Sequence, residues 1–149
     1  MKRKQFVERV ECWRRLLMPE WRVAVFIGDE PPGSVRSHHA HGQDDWVACS
    51  NSDVTITEAR LYVKDEVPDF DPDQIDRIIV HELLHPLLDR VLDHVEVLRD
   101  YVPPPVMHAY EQGRVADEEE LVNRIAHVVS THGEHGESPY GAHCCKADS

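Results

Sequence analysis

The sequence predicts an α+β domain: a three-stranded mixed sheet packed with an N-terminal helix, a central helix and a C-terminal helix bearing glutamates. Three observations predict it. Apolar residues recur at helical spacing over residues 4–18 and again beyond residue 71. Between those stretches lie three short runs rich in β-branched and aromatic residues, bounded by Gly, Pro, Asp and Ser. The length of 149 residues, 41% of them apolar, suffices for one core and is too short for two ordinary domains.

The first helix spans 4–18, with Phe6, Val10, Trp13 and Leu17 on one face and Arg and Glu opposite; Pro19 stops it. "WRVAVFI", Trp21 to Ile27, is the first strand. After the polar connection Ser34–Asp45, "WVACS" is a short second strand. "ITEARLYVKD", Ile56 to Asp65, is the third. Its Ala59, Leu61 and Val63 share one face and Arg60, Tyr62 and Lys64 the other, a pattern that suits a strand with one wet face and also an edge strand. The central helix opens with Asp71 as N-cap and Pro72 at the first helical position, with Asp73 and Asp76 complementing the helix dipole. Pro86 cannot donate to the carbonyl of Glu82, so this helix is expected to end or kink there, with a further helical piece over about 87–99. After "YVPPPV" a last helix covers about 106–129, with an interruption near Gly113. Residues 1–130 form the expected domain. Residues 131–149, rich in Gly, Ser, His and Cys without periodicity, read as a poorly ordered tail.

Charge and composition exclude several classes. With 28 acidic against 16 basic residues, the net charge of −12 argues against nucleic acid as a partner, which needs a basic surface to displace counterions. Lys2, Arg3, Lys4, Arg9, Arg14 and Arg15 are a local exception, read as a solvated helix face. No apolar run has the length of a membrane span, and the basic start lacks an apolar h-region, so neither membrane insertion nor a signal peptide is expected. Cys12, Cys49, Cys144 and Cys145 fit neither a disulfide framework nor a Cys-x-x-Cys zinc ribbon; reduced thiols in a cytoplasmic monomer are the simplest reading.

Chemistry concentrates in "IIVHELLHPLL", residues 78–88. Residues four apart on a helix lie one turn apart on one face, so His81 and His85 can aim both imidazoles at one point, as a tetrahedral Zn²⁺ requires. Glu82, one position round, reaches a water on that ion as a general base. The 11 histidines and 14 glutamates give roughly 0.07 chance matches to His-Glu-x-x-His in such a chain. Two imidazoles and a carboxyl on a mostly apolar helix would be costly to bury without a metal.

A catalytic zinc site needs a third protein ligand. The metzincin pattern requires glycine at position 88 and histidine at position 91, and the sequence has Leu88 and Val91. His94 and His108 have no supporting spacing, and Pro86 separates Asp89 from His85. On the last helix Glu119 and Asn123 are four apart and share a side with Val122 and Ala126. Glu119 is the candidate ligand, with Glu120 its alternative; Asn123 would hold a ligand imidazole by its other nitrogen. An acidic first helical turn would account for two of the three glutamates 118–120.

His-Glu-x-x-His followed by a helix with Glu-x-x-x-Asn resembles the gluzincin zinc peptidases, and "EELVNRIA" resembles the second motif of minimal gluzincins and the ImmA/IrrE-type proteins of phages and mobile elements. The resemblance covers about residues 56–129. It implies a small zincin-like domain and a metallopeptidase with His81, His85 and Glu119 as zinc ligands and Glu82 as base. The substrate would be a peptide or protein, added as a further strand beside Ala59–Val63. The transition-state donor stays open among Tyr101, His108, Tyr110 and His127. The alternative is a non-catalytic zinc-site domain acting as a binding or regulatory protein. His38, His39 and His41, and His132, His135 and His143 beside Cys144 and Cys145, have no recognised ligand spacing.

Overall fold

In the computed structural model, which describes residues 2–28, 47–96 and 101–133, three helices pack with one three-stranded sheet. Helix α1 is Arg3–Leu17, strand β1 Arg22–Ile27, β2 Ala48–Asp53 and β3 Glu58–Val63. A 3-10 turn at Val67–Asp69 precedes α2, Pro72–Glu96, and α3 is Pro104–Gly133.

The sheet is mixed, in the order β1-β3-β2, with β1 parallel and β2 antiparallel to β3. Strand β3 is therefore central, not an edge. Its alternation fixed which face is buried, but a strand with one apolar face reads alike at the edge and in the middle. Register places Val25, Leu61 and Ser50 in one row of the inner face, and Ile27, Val63 and Ala48 in the next. On the outer face Tyr62 is only 8% exposed rather than wet, because it stacks on Phe26 with ring centroids 5.0 Å apart and lies opposite buried Cys49. Burial, together with the charge of Glu82, pushes the Cys49 thiol up to about 12. A thiol-alkylating reagent at pH 8 is thus expected to spare Cys49 until the chain unfolds, while half-buried Cys12 reacts; mass mapping of the labelled peptides checks this.

Helix α1 buries Phe6, Val10 and Trp13 against the core. Its basic residues are partly consumed within the fold. Arg14 donates to Glu11 and to the carbonyls of Pro19 and Trp21, closing the turn into β1. Arg9 reaches across to Asp76 on α2 with both Nε and Nη2, and Trp13 Nε1 donates to the same carboxylate at 2.7 Å. Asp76 is 3% exposed, so its main role is this clamp and not a surface complement to the helix dipole.

Helix α2 begins as its cap requires: the Asp71 carboxylate accepts from the Asp73 amide at 2.9 Å. Pro86 neither ends it nor divides it, and one helix continues to Glu96. Leu83 and Leu84 before the proline, and Leu87 and Leu88 after it, all pack on the core. Burial on both sides outweighs one lost backbone hydrogen bond, since packing supplies most helical stability in a protein. Helix α3 likewise passes through Gly113 unbroken. The three consecutive glutamates therefore lie in its middle rather than in a first turn. Among the described residues, no helix is long and apolar enough to cross a membrane.

Candidate metal centre

Helices α2 and α3 pack against each other with Val122 and Ala126 fully buried at the contact. That packing turns Glu119, three residues before Val122, toward the His81–His85 face of α2. His85 Nε2 lies 3.1 Å from His81 Nε2 and 3.4 Å from Glu119 Oε1, and His81 Nε2 lies 3.6 Å from Glu119 Oε2. The three residues form a group able to hold a metal ion.

Each imidazole is oriented from behind. His81 Nδ1 donates to Asn123 Oδ1 at 3.1 Å, and His85 Nδ1 donates to Glu118 Oε1 at 3.1 Å. Glu118 is in turn held by Arg114 Nη1 at 2.8 Å. With both Nδ1 atoms donating outward, both Nε2 atoms face inward, where a neutral ring presents a lone pair. Two lone pairs and a carboxylate at such separations repel unless a proton or a cation lies among them. Burial alone would lower His85, but the hydrogen bond to Glu118 and the charges of Glu82, Glu119 and Glu118 prevail and raise it.

The donor set is compatible with a small divalent cation such as zinc. Zn–N and Zn–O bonds of about 2.0–2.2 Å place tetrahedral donors about 3.3–3.6 Å apart; the imidazole nitrogens are 3.1 Å apart, each lies 3.4 or 3.6 Å from one or the other oxygen of Glu119, and one donor atom from each residue falls within 4.8 Å of the other two. Were an ion such as zinc held by two imidazoles and one carboxylate, it would keep a position open for water or substrate.

Glu82 sits beside this group, 5% exposed. Burial pushes its carboxyl up to about 7, with Glu119 adding to the rise and with His85 and a hydrogen bond from Ser50 opposing it. Among the described residues its Oε2 meets no hydrogen-bond partner, so Ser50 holds the other oxygen. A buried carboxylate oxygen without a protein partner is costly, and an ordered water, a bound ion or a catalytic role accounts for such groups.

The remaining candidates lie elsewhere. Glu120 is exposed and pairs with Arg124 along the surface of α3. Asp89 accepts from Ser52 at 2.6 Å. His108 pairs with Gln112 on exposed helix surface, His127 is exposed, and Tyr101 is 82% exposed. Tyr110 lines a groove between α2 and α3 together with Leu88, Gly113 and Glu118. The side chains of His94 and His132, and all of His38, His39, His41, His135, His143, Cys144 and Cys145, lie outside the described residues. Glu118 and Arg114, which fix His85, carry no sequence signal beyond a spacing of four.

Comparison with known proteins gives no match to a family model, to a curated protein or to a solved structure.

Proposed function

We propose that the protein is a zinc-dependent metallopeptidase of the gluzincin type. The convergence of His81, His85 and Glu119 at zinc-like separations, with an unpartnered oxygen of Glu82 beside them, carries this reading. A bound ion supplies Lewis acidity toward a peptide carbonyl and toward water. The chain supplies the rest. Asn123 and Glu118 hold the imidazoles so that Nε2 points inward. Ser50 fixes one oxygen of Glu82 and leaves Oε2 to take a proton from the attacking water and return it to the leaving amine as the C–N bond breaks. Burial raises this carboxyl in the metal-free protein, and a cation bound beside it would favour the ionised form that accepts the proton.

An extended peptide or protein segment would add along β2, not β3. Strand β3 has a hydrogen-bonded neighbour on each side, whereas β2 pairs on one side among the described residues and lies next to the Glu82 face of α2. The cysteine spacing, which fits no disulfide framework, favours a cytoplasmic setting, and the charge of −12 disfavours nucleic acid as a partner.

Two measurements test the proposal together. Purified protein is expected to contain near-stoichiometric zinc and to hydrolyse a peptide library. Glu82→Gln is expected to keep the zinc while losing about 10²–10⁴-fold in kcat. Hydrolysis that persists in Glu82→Gln sinks the mechanism. Stoichiometric zinc in a wild-type protein without hydrolysis leaves the non-catalytic reading, in which the metal staples α2 to α3.

A further inference from the structure

Arg114 and Glu118 are one turn apart on α3 and form an ion pair. Most such pairs lie in water and contribute little. Three observations set this one apart. The first is burial: the Arg114 and Glu118 side chains are 29% and 14% exposed, against 75% and 62% for Arg124 and Glu120 on the same helix. The second is that Glu118 uses its two oxygens in different directions. Oε2 accepts from Arg114 Nη1 at 2.8 Å, and Oε1 accepts from His85 Nδ1 at 3.1 Å. A carboxylate serves both donors at once, which a side-chain amide with its single oxygen cannot do. The third is the company around His85. Glu82, Glu118 and Glu119 all bear on its ring. Carboxylates gathered around one imidazole repel each other, and Arg114 sets a cation on the outer oxygen of one of them. His81 is held differently, by the neutral amide of Asn123.

We infer that Arg114 is a positioning residue of the candidate metal centre, acting on His85 through Glu118. Arg114 fixes Glu118 by Oε2. Glu118, by Oε1, holds the His85 proton on Nδ1 and so keeps the Nε2 lone pair facing His81 and Glu119. Without Arg114 the carboxylate keeps its charge and loses its fixed direction. It then turns toward water for part of the time, and the neutral ring carries its proton on either nitrogen. A proton on Nε2 has to leave before that nitrogen can bind a cation, so metal affinity falls. The inference rests on the metal centre proposed above, but the tautomer it specifies belongs to the metal-free chain and is measurable without zinc or hydrolysis.

Nitrogen NMR of histidine-labelled, metal-free protein at alkaline pH, where the ring is neutral, reads the tautomer; competition against a chelating dye reads zinc affinity. The wild type is expected to carry the His85 proton on Nδ1. Arg114→Met keeps length and helix propensity but cannot donate. It is expected to mix the two tautomers at His85, to leave His81 as it was, and to weaken zinc binding about tenfold. Arg114→Lys is expected to restore most of both. Glu118→Gln is expected to lose up to about 100-fold, because Arg114 and His85 then compete for one oxygen. Combining Arg114→Met with Glu118→Gln frees that oxygen for His85, so the double variant is expected to bind zinc more tightly than Glu118→Gln alone. Circular dichroism verifies that each variant is folded. A wild-type His85 protonated on Nε2 overturns the inference without any variant. So does a His85 tautomer, or a zinc affinity, that Arg114→Met leaves as in the wild type, whatever the change in Tm. A double variant no tighter than Glu118→Gln overturns the division of labour between the two oxygens. A wild type that takes up no zinc sinks the function proposed above, while the tautomer still decides the role of Arg114.

Discussion

Glu119→Gln is expected to weaken zinc binding by about 100-fold or more, while Glu120→Gln leaves it unchanged. Loss of a residue that only supports a ligand typically costs 10–100-fold, and loss of a ligand costs at least that. Glutamine keeps the shape of Glu119 but removes the charge that faces both imidazoles at 3.4 and 3.6 Å. Glu120 pairs with Arg124 on exposed surface, where ion pairs contribute little. Competition against a zinc-chelating dye measures both variants. The same contrast is expected in melting experiments, where zinc at about 100 times its dissociation constant stabilises the wild type and Glu120→Gln by about 2.7 kcal/mol and leaves Glu119→Gln nearly unaffected. The pH dependence has a definite sign. His85 is raised in the metal-free protein, so a proton competes for its Nε2 and affinity falls as the pH drops below that raised value. Loss of zinc in Glu120→Gln with retention in Glu119→Gln would move the ligand by one residue and refute the geometry.

The division between what sequence conveys and what it withholds follows from range. Local periodicity sufficed for Phe6, Val10 and Trp13 on α1, for Ala59, Leu61 and Val63 on β3, and for the cap at Asp71. It also sufficed to place Glu119 and Asn123 with Val122 and Ala126, because all four obey the spacing of one helix. It did not place β3 between its neighbours, since strand order arises from pairing across the chain. Pro86 and Gly113 misled for a related reason. Each is a local breaker, and each lies in a helix held by packing from outside its own turn. The support of His85 by Glu118 and Arg114 depends on how α2 crosses α3, which no single-helix pattern encodes. Asp76 illustrates the same limit. A first-turn acid explained it adequately in isolation, and only the approach of α1 gives it two donors.

Asp76→Ala is accordingly expected to destabilise the protein by about 3 kcal/mol or more. Removing one partner of a buried ion pair costs about 3–5 kcal/mol. Arg9 keeps some access to solvent, its side chain being 27% exposed, which moves the expectation toward the lower end. Trp13 moves it back. Its Nε1 loses the acceptor at 2.7 Å, and a buried donor without a partner costs about 1–3 kcal/mol. For a chain of this length about 3 kcal/mol lowers Tm by about 10 °C. Asp76→Asn keeps an acceptor for Trp13 and is expected to fall between alanine and wild type. Arg9→Ala with Asp76→Ala is expected to cost less than the two single losses added, since both remove the same ion pair. The clamp joins α1 to the first turns of α2, whereas the candidate metal centre is built from α2 and α3. Zinc affinity measured below the lowered Tm should therefore stay within a few-fold of wild type. A Tm shift of only about 2 °C for Asp76→Ala would mean that solvent already screens the pair, and that the hydrophobic contacts of Phe6, Val10 and Trp13 alone hold α1 in place.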